Sequence, residues 1–169
     1  PRYETMYLLY RDESDLTRKL RGDLIAALGI LGDEPSTVEK ARELAGDVLE
    51  GAQFDPEVCT AALSVYSHHG GADEYDALWA AYHKTNAPAE KVRYLRSVAG
   101  VEVEELALST MEKIVSGDIR TQDGFWVFAR LLSGDAGPTV WQNARTRWDE
   151  VLGVMPGMTK RRVVEGLPA

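Results

Sequence analysis

Three histidines are the first residues to test for chemistry, because imidazole is a common metal ligand and general base. His68 and His69 are adjacent, and His83 follows beyond the Gly70-Gly71 turn. Successive residues of a helix point about 100° apart, so we expect His68 and His69 not to share a ligand face. The chain contains no His-Glu-x-x-His sequence and no cysteine pair, the usual zinc-binding patterns. The sequence therefore predicts neither a metal site nor a cofactor in this chain.

The remaining reactive residue types do not form a catalytic pattern either. Cys59 stands between apolar neighbours of a predicted helix, which is typical of a small buried side chain. Most carboxylates fall in first turns of predicted helices, where the helix dipole favours negative charge. No Gly-x-Ser-x-Gly or Walker-type loop is present. We therefore predict no catalytic residue in this chain.

Composition limits the partners and the compartment. The 27 acidic and 19 basic side chains give a net charge of -8, which disfavours nucleic acid and anionic membranes as partners. No apolar run has the length of about 18 residues that a spanning helix needs. The single cysteine excludes an internal disulfide and favours a reducing compartment, so we expect a cytoplasmic protein.

Helical patterns occupy nearly the whole chain. Residues 116–148 contain three of the four tryptophans, between Gly-containing turns, and predict a helical hairpin of residues 122–132 and 138–152. Residues 14–31 predict a helix with a buried leucine stripe. A capping box at Ser36 and Glu39 and an Asp55-Pro56 start predict the next two helices. Further helices are predicted to begin near 73, 88 and 102, with a short one at 3–10 and a last one near 159. The buried stripe comprises Leu16, Leu20, Leu24, Leu28 and Leu31.

No segment alternates with the period of a strand, so the fold class is predicted to be all-α. Short helices joined by short turns favour stacked helical hairpins in a HEAT- or armadillo-like α-α superhelix. A compact helical bundle is the structural alternative. We expect residues 1–169 to form a single helical-repeat domain.

The hairpin also carries a family resemblance. Residues 119–123 read Ile-Arg-Thr-Gln-Asp, and Gly137, Trp141 and Trp148 follow after the turn. This order resembles the C-terminal domain of zinc-dependent aminopeptidases of the puromycin-sensitive and endoplasmic-reticulum type, in the aminopeptidase N superfamily. Two positions depart from the family pattern: its turn asparagine is absent, and Arg147 replaces the asparagine before the second tryptophan.

The resemblance implies a non-catalytic domain that closes over a catalytic domain of the same polypeptide and shapes the access of peptide substrates. The family's zinc-binding motif and its Gly-x-Met-x-Asn loop have no counterpart here. Zinc is therefore expected in the catalytic domain, and this chain is expected to be a fragment, truncated at both ends, without peptidase activity of its own. The alternative is a free-standing helical-repeat adaptor that binds a protein or peptide on a concave face.

Three residues at the start of the predicted helix 122–132 invite a functional and a structural interpretation. Gln122 and Asp123 lie in the first turn, where side chains commonly satisfy exposed N–H groups. Arg120 precedes them and either pairs with Asp123 or meets a peptide carboxylate in the substrate chamber of the parent enzyme. The sequence leaves both interpretations of Arg120 open.

Overall fold

The computed structural model describes residues 13–155 and 157, and every regular element in that part of the chain is helical. The all-α prediction is confirmed. The predicted helices at 3–10 and near 159 lie outside the described residues. A π-helical turn, Ala27–Leu31, directly extends the first helix. The α-helices are α1 (Asp15–Ala26), α2 (Pro35–Glu50), α3 (Pro56–His68), α4 (Ala72–Lys84), α5 (Pro88–Val98), α6 (Glu104–Val115), α7 (Thr121–Leu132), α8 (Gly137–Thr146) and α9 (Trp148–Gly153).

Packing divides the chain into two compact units, with the boundary between Asn86 and Ala87. Helices α1–α4 belong to the first unit and α5–α9 to the second. None of the described helices combines the length and the apolarity needed to cross a membrane.

The core of the first unit forms where α1, α2 and α3 pack together. Two glycines bring α1 and the π-helical turn close to α3: a Cβ on Gly22 would lie 3.0 Å from the Glu57 carbonyl oxygen, and one on Gly29 would lie 2.7 Å from Val65 Cγ2. The buried cluster comprises Ile25, Ala41, Leu44, Val58, Ala61, Ala62 and Val65.

The leucine stripe predicted along α1 and the π-helical turn does not face the core, and of its five members only Leu28 is half-buried. Leu16 and Leu31 are 81% and 85% exposed, and Leu20 and Leu24 are also exposed. The face that packs on α3 is instead the small one, with Gly22, Ile25 and Gly29. A short side chain lets two helix backbones approach closely, and the extra residue of the π-helical turn shifts the helical phase beyond Ala26.

The cap predicted at Ser36 is also wrong, whereas the one at Asp55 is confirmed. Helix α2 begins two residues earlier than predicted, with Glu34 as its N-cap and Pro35 as its first residue. The Glu34 carboxylate accepts the Thr37 N–H at 2.7 Å. The same carboxylate accepts the Ser36 hydroxyl. The pKa of Glu34 is lowered by hydrogen bonds from the Thr37 side chain, the Ser36 side chain and the Thr37 N–H, in decreasing order. Asp55 accepts the Glu57 N–H at 2.9 Å, as its position before Pro56 predicts.

The second unit contains the predicted hairpin, in which α7 packs on α8 and both contact α6. The predicted single helix over 138–152 is broken at Arg147, whose backbone leaves the helical region (φ −134°, ψ 39°) and separates α8 from α9. Its guanidinium forms ion pairs with Glu112 of α6 and Glu150 of α9, and the hydrogen bond to Glu112 is the main cause of its raised pKa. Fully buried side chains of this unit include Leu95, Met111, Val127, Phe128 and Val140.

Candidate functional site

All residues of the family motif lie in the second unit. Two of them, Arg120 and Asp123, form a cluster with Trp126 at the start of α7. Arg120 Nε and Nη2 lie 2.7 Å and 2.6 Å from Asp123 Oδ2. Trp126 Nε1 donates to the other carboxylate oxygen at 3.3 Å. The Asp123 side chain is 7% exposed, whereas that of Arg120 is 41% exposed. Both oxygens of a buried carboxylate are therefore satisfied, and the guanidinium keeps an open side.

This geometry differs from the capping role predicted for the Gln-Asp pair. Arg120 itself is the N-cap residue, and its carbonyl accepts the N–H groups of Asp123 and Gly124 at 2.8 Å and 3.0 Å. The Asp123 carboxylate binds the Arg120 and Trp126 side chains instead of first-turn N–H groups. Gln122 lies exposed on the same turn.

Gly137 begins α8 at a point where no side chain fits. A Cβ there would lie 2.2 Å from the carbonyl oxygen of Leu132, the last residue of α7. The Gly137 N–H donates to the Gly134 carbonyl at 2.9 Å and closes the turn. Glycine is therefore required so that the two helices of the hairpin can be joined this tightly.

Trp141 and Trp148 are partners across the break between α8 and α9. Their ring centroids lie 5.6 Å apart and the ring planes cross at 79°, an edge-to-face arrangement. Such a pair stabilises by about 0.5–1.5 kcal/mol beyond the area that it buries. Both tryptophans of the motif thus have a packing role.

Sequence reasoning missed an open groove beside α8. Its volume is about 500 Å³. Asn143 Oδ1 is buried and has no hydrogen-bond partner among the described residues. Polar residues of α8 recur at spacings of three and four, which places them on one face of the helix. This pattern in the sequence could have indicated an open polar face at α8. It is lined by Leu108, Pro138, Thr139, Gln142, Asn143 and Thr146.

The start of α7 does not fit a catalytic zinc ion. Among Arg120, Asp123 and Trp126 only the carboxylate is a zinc ligand, and both of its oxygens are engaged. What the cluster can do chemically is present a positioned guanidinium, which binds carboxylates in a planar two-point geometry.

Residues 1–168 match the family model described as the ERAP1-like C-terminal domain. The chain is 26% identical over 150 residues to aminopeptidase M1-C of Oryza sativa subsp. japonica and 28% identical over 151 residues to aminopeptidase M1-A of the same plant. Each match covers 86% of this chain and 17% of the relative. Aminopeptidase M1 of Arabidopsis thaliana is 23% identical over 144 residues, 82% of this chain and 16% of that protein.

The resemblance inferred from the Arg120–Asp123 motif, Gly137 and the two tryptophans is thereby confirmed. The match extends over both units of the chain. This chain belongs to the ERAP1-like C-terminal domain family, the C-terminal domain of M1 aminopeptidases.

Proposed function

We propose that this chain is a non-catalytic domain of a zinc aminopeptidase, which closes over the catalytic domain and shapes the access of peptides to it. The observation that carries the proposal is the family match over residues 1–168, since the relatives are named aminopeptidases. The chain spans 17% of the length of the rice relatives, so the zinc ligands would come from another part of such a polypeptide. The partners of this domain would be that catalytic domain and peptide substrates.

Within this role, Arg120 is the side chain that we propose to contact substrate. Its pairing with the buried Asp123 fixes the guanidinium through Nε and Nη2 and leaves other N–H groups on its exposed side. An arginine that is already held in place loses less rotamer freedom when it binds a ligand. A peptide carboxylate matches the geometry of its remaining donors.

The test is a kinetic comparison in the full-length polypeptide that contains this chain. In Arg120→Ala, we expect KM for peptide substrates to rise by about five- to tenfold, corresponding to about 1–1.4 kcal/mol of lost binding. An aminoacyl-aminomethylcoumarin, which has no peptide carboxylate, should be cleaved as in the wild type. Arg145→Ala is the matched control, because Arg145 is an exposed arginine in the last turn of α8.

Equal kinetics for Arg120→Ala and wild type on peptides would remove Arg120 from the proposal without affecting the domain assignment. The domain assignment is tested separately by incubating the chain alone with zinc and peptides, where we expect no hydrolysis. Hydrolysis by the chain alone would contradict the non-catalytic role. An encoding gene without a zinc-binding His-Glu-x-x-His motif would favour the adaptor alternative.

A further inference from the structure

A cluster of metal-ligand side chains lies in the first unit, where the π-helical turn approaches the C-terminal end of α3. His69 Nε2 lies 2.6 Å from the Gly29 carbonyl oxygen and 3.7 Å from Asp33 Oδ1. The rings of His68 and His69 meet edge to face with their centroids 4.8 Å apart. One ligand atom from each of Asp33, His68 and His69 lies within 4.8 Å of the other two.

The expectation that His68 and His69 cannot share a ligand face does not hold at this position. His68 is the last residue of α3, and His69 is its C-cap with φ −91° and ψ 5°, so the angular rule for a helix interior no longer applies. The third member comes from the connection before α2. Asp33 has a positive φ of 44°, an uncommon conformation for a residue with a side chain.

The hydrogen bond of His69 determines which of its nitrogens is available. A carbonyl oxygen only accepts, so Nε2 must carry the proton that is donated to Gly29, and Nδ1 keeps its lone pair. Metal-binding histidines commonly donate one ring N–H to a backbone carbonyl in this way, which fixes the tautomer and the ring orientation.

We propose that Asp33, His68 and His69 bind one transition-metal ion of the Zn²⁺ type. Two imidazoles and a carboxylate are zinc ligands, whereas Mg²⁺ and Ca²⁺ prefer sets of oxygen atoms. Ligand atoms around tetrahedral zinc lie about 3.3–3.5 Å apart, given metal–ligand distances of about 2.0–2.2 Å. The 3.7 Å distance joins Asp33 Oδ1 to His69 Nε2, whereas the metal would bind Nδ1, so the carboxylate must move toward the Nδ1 side of the ring. The Asp33 side chain is 75% exposed, which leaves it room to rotate. Water would complete the coordination.

The surroundings of the cluster tolerate a cation. Arg42 lies close, because its Nη2 donates to the His69 carbonyl at 2.6 Å. Its charge is balanced by Glu74, whose Oε1 lies 3.2 Å from Nη1. A bound ion would tie the connection between α1 and α2 to the end of α3, so it would stabilise the first unit. The inference is independent of the zinc expected in a catalytic domain.

The test uses the whole chain, freed of metal with a chelator and titrated with ZnCl₂ against a chromophoric zinc indicator. We expect one equivalent to bind, the unfolding temperature to rise with zinc, and Co²⁺ to give the visible absorption of a four-coordinate site. Asp33→Asn, His68→Gln and His69→Gln should each weaken binding at least about tenfold and remove the thermal shift. Glutamine at position 69 can still donate to the Gly29 carbonyl. The His69→Gln variant therefore separates loss of the metal ligand from loss of this hydrogen bond.

His83→Gln is the matched control, since His83 lies on α4 of the same unit and stacks on the Trp79 ring at 5.5 Å. It should bind zinc like the wild type. The proposal would be overturned by an absence of saturable binding, by full affinity in any of the three ligand variants, or by an equal loss in His83→Gln. Circular dichroism of each apo variant identifies any that fails to fold, and the remaining ligand variants then decide the outcome.

Discussion

Several residues of the family motif in the α7–α8 hairpin have a structural role that explains their residue type. Asp123 uses one carboxylate oxygen for Arg120 and the other for Trp126. Gly137 occupies the place where a side chain would collide with the Leu132 carbonyl oxygen. These roles are structural, and the exposed side of Arg120 is the part of the motif that they leave available for a ligand.

Substituting Gly137 by alanine should destabilise the chain by about 1–3 kcal/mol. The new Cβ would be forced to within 2.2 Å of a backbone oxygen, so α7 and α8 must separate to admit it. Urea unfolding followed by tryptophan fluorescence measures the change. Gly134→Ala is the control in the same turn: its Cβ would meet the nearest atom, the Leu131 carbonyl oxygen, at an ordinary 3.8 Å, and we expect a change within about 0.5 kcal/mol. Equal stability of Gly137→Ala and wild type would contradict the close approach.

Motif positions could be predicted from sequence, but their contacts could not. The order of Gln122, Asp123, Gly137 and the tryptophans along the chain can be recognised from the sequence alone, without knowledge of the fold. The choice of Trp126 as the second donor to Asp123 depends on side-chain directions over one helical turn, which spacing alone leaves open. The proposed zinc site depends on a contact between His69 and a turn some 40 positions earlier in the chain, which no local pattern encodes.

At the scale of elements, helix positions followed from capping and periodicity, while the buried face of α1 did not. Asp55 before Pro56 marks the start of α3 unambiguously because side chain and ring both suit a helix N-terminus. Along α1 and the π-helical turn, five leucines outweighed two glycines and an isoleucine in the hydrophobic pattern. The interface with α3 nevertheless uses the smaller residues, because backbone proximity determines which face packs. Local pattern does not carry that information.

A pair of substitutions on α1 tests this assignment. Ile25 is fully buried and Leu20 is 57% exposed. We expect Ile25→Ala to cost about 2–5 kcal/mol of unfolding free energy, since it opens a cavity in the core between α1, α2 and α3. Leu20→Ala should cost less than about 1 kcal/mol. Chemical denaturation of both variants under the same conditions gives the comparison, and a larger cost at Leu20 would show that the stripe is the buried face in solution.

At the scale of the whole molecule, the division between Asn86 and Ala87 makes a prediction about folding. The first unit has its own cluster around Ile25, Ala62 and Val65. The second has buried side chains of its own, among them Phe128 and Val140. A unit that encloses a separate core can in principle fold alone. Whether residues 1–169 form a single domain therefore depends on whether the two units unfold together or separately.

We expect fragments 1–86 and 87–169 each to retain helical circular dichroism and to unfold cooperatively, because the cut removes no helix from either core. Each fragment should be less stable than the intact chain, since a smaller chain buries a smaller share of its surface. The control is a cut between Ala136 and Gly137, which separates α7 from α8 and exposes Phe128 and Val140. In the resulting fragments 1–136 and 137–169, we expect residues 87–136 and 137–169 to lose cooperative unfolding, since these two segments together form the second unit. If fragments 1–86 and 87–169 were both unfolded and recovered helicity only when mixed, the two units would form one cooperative domain, and the single-domain expectation would stand.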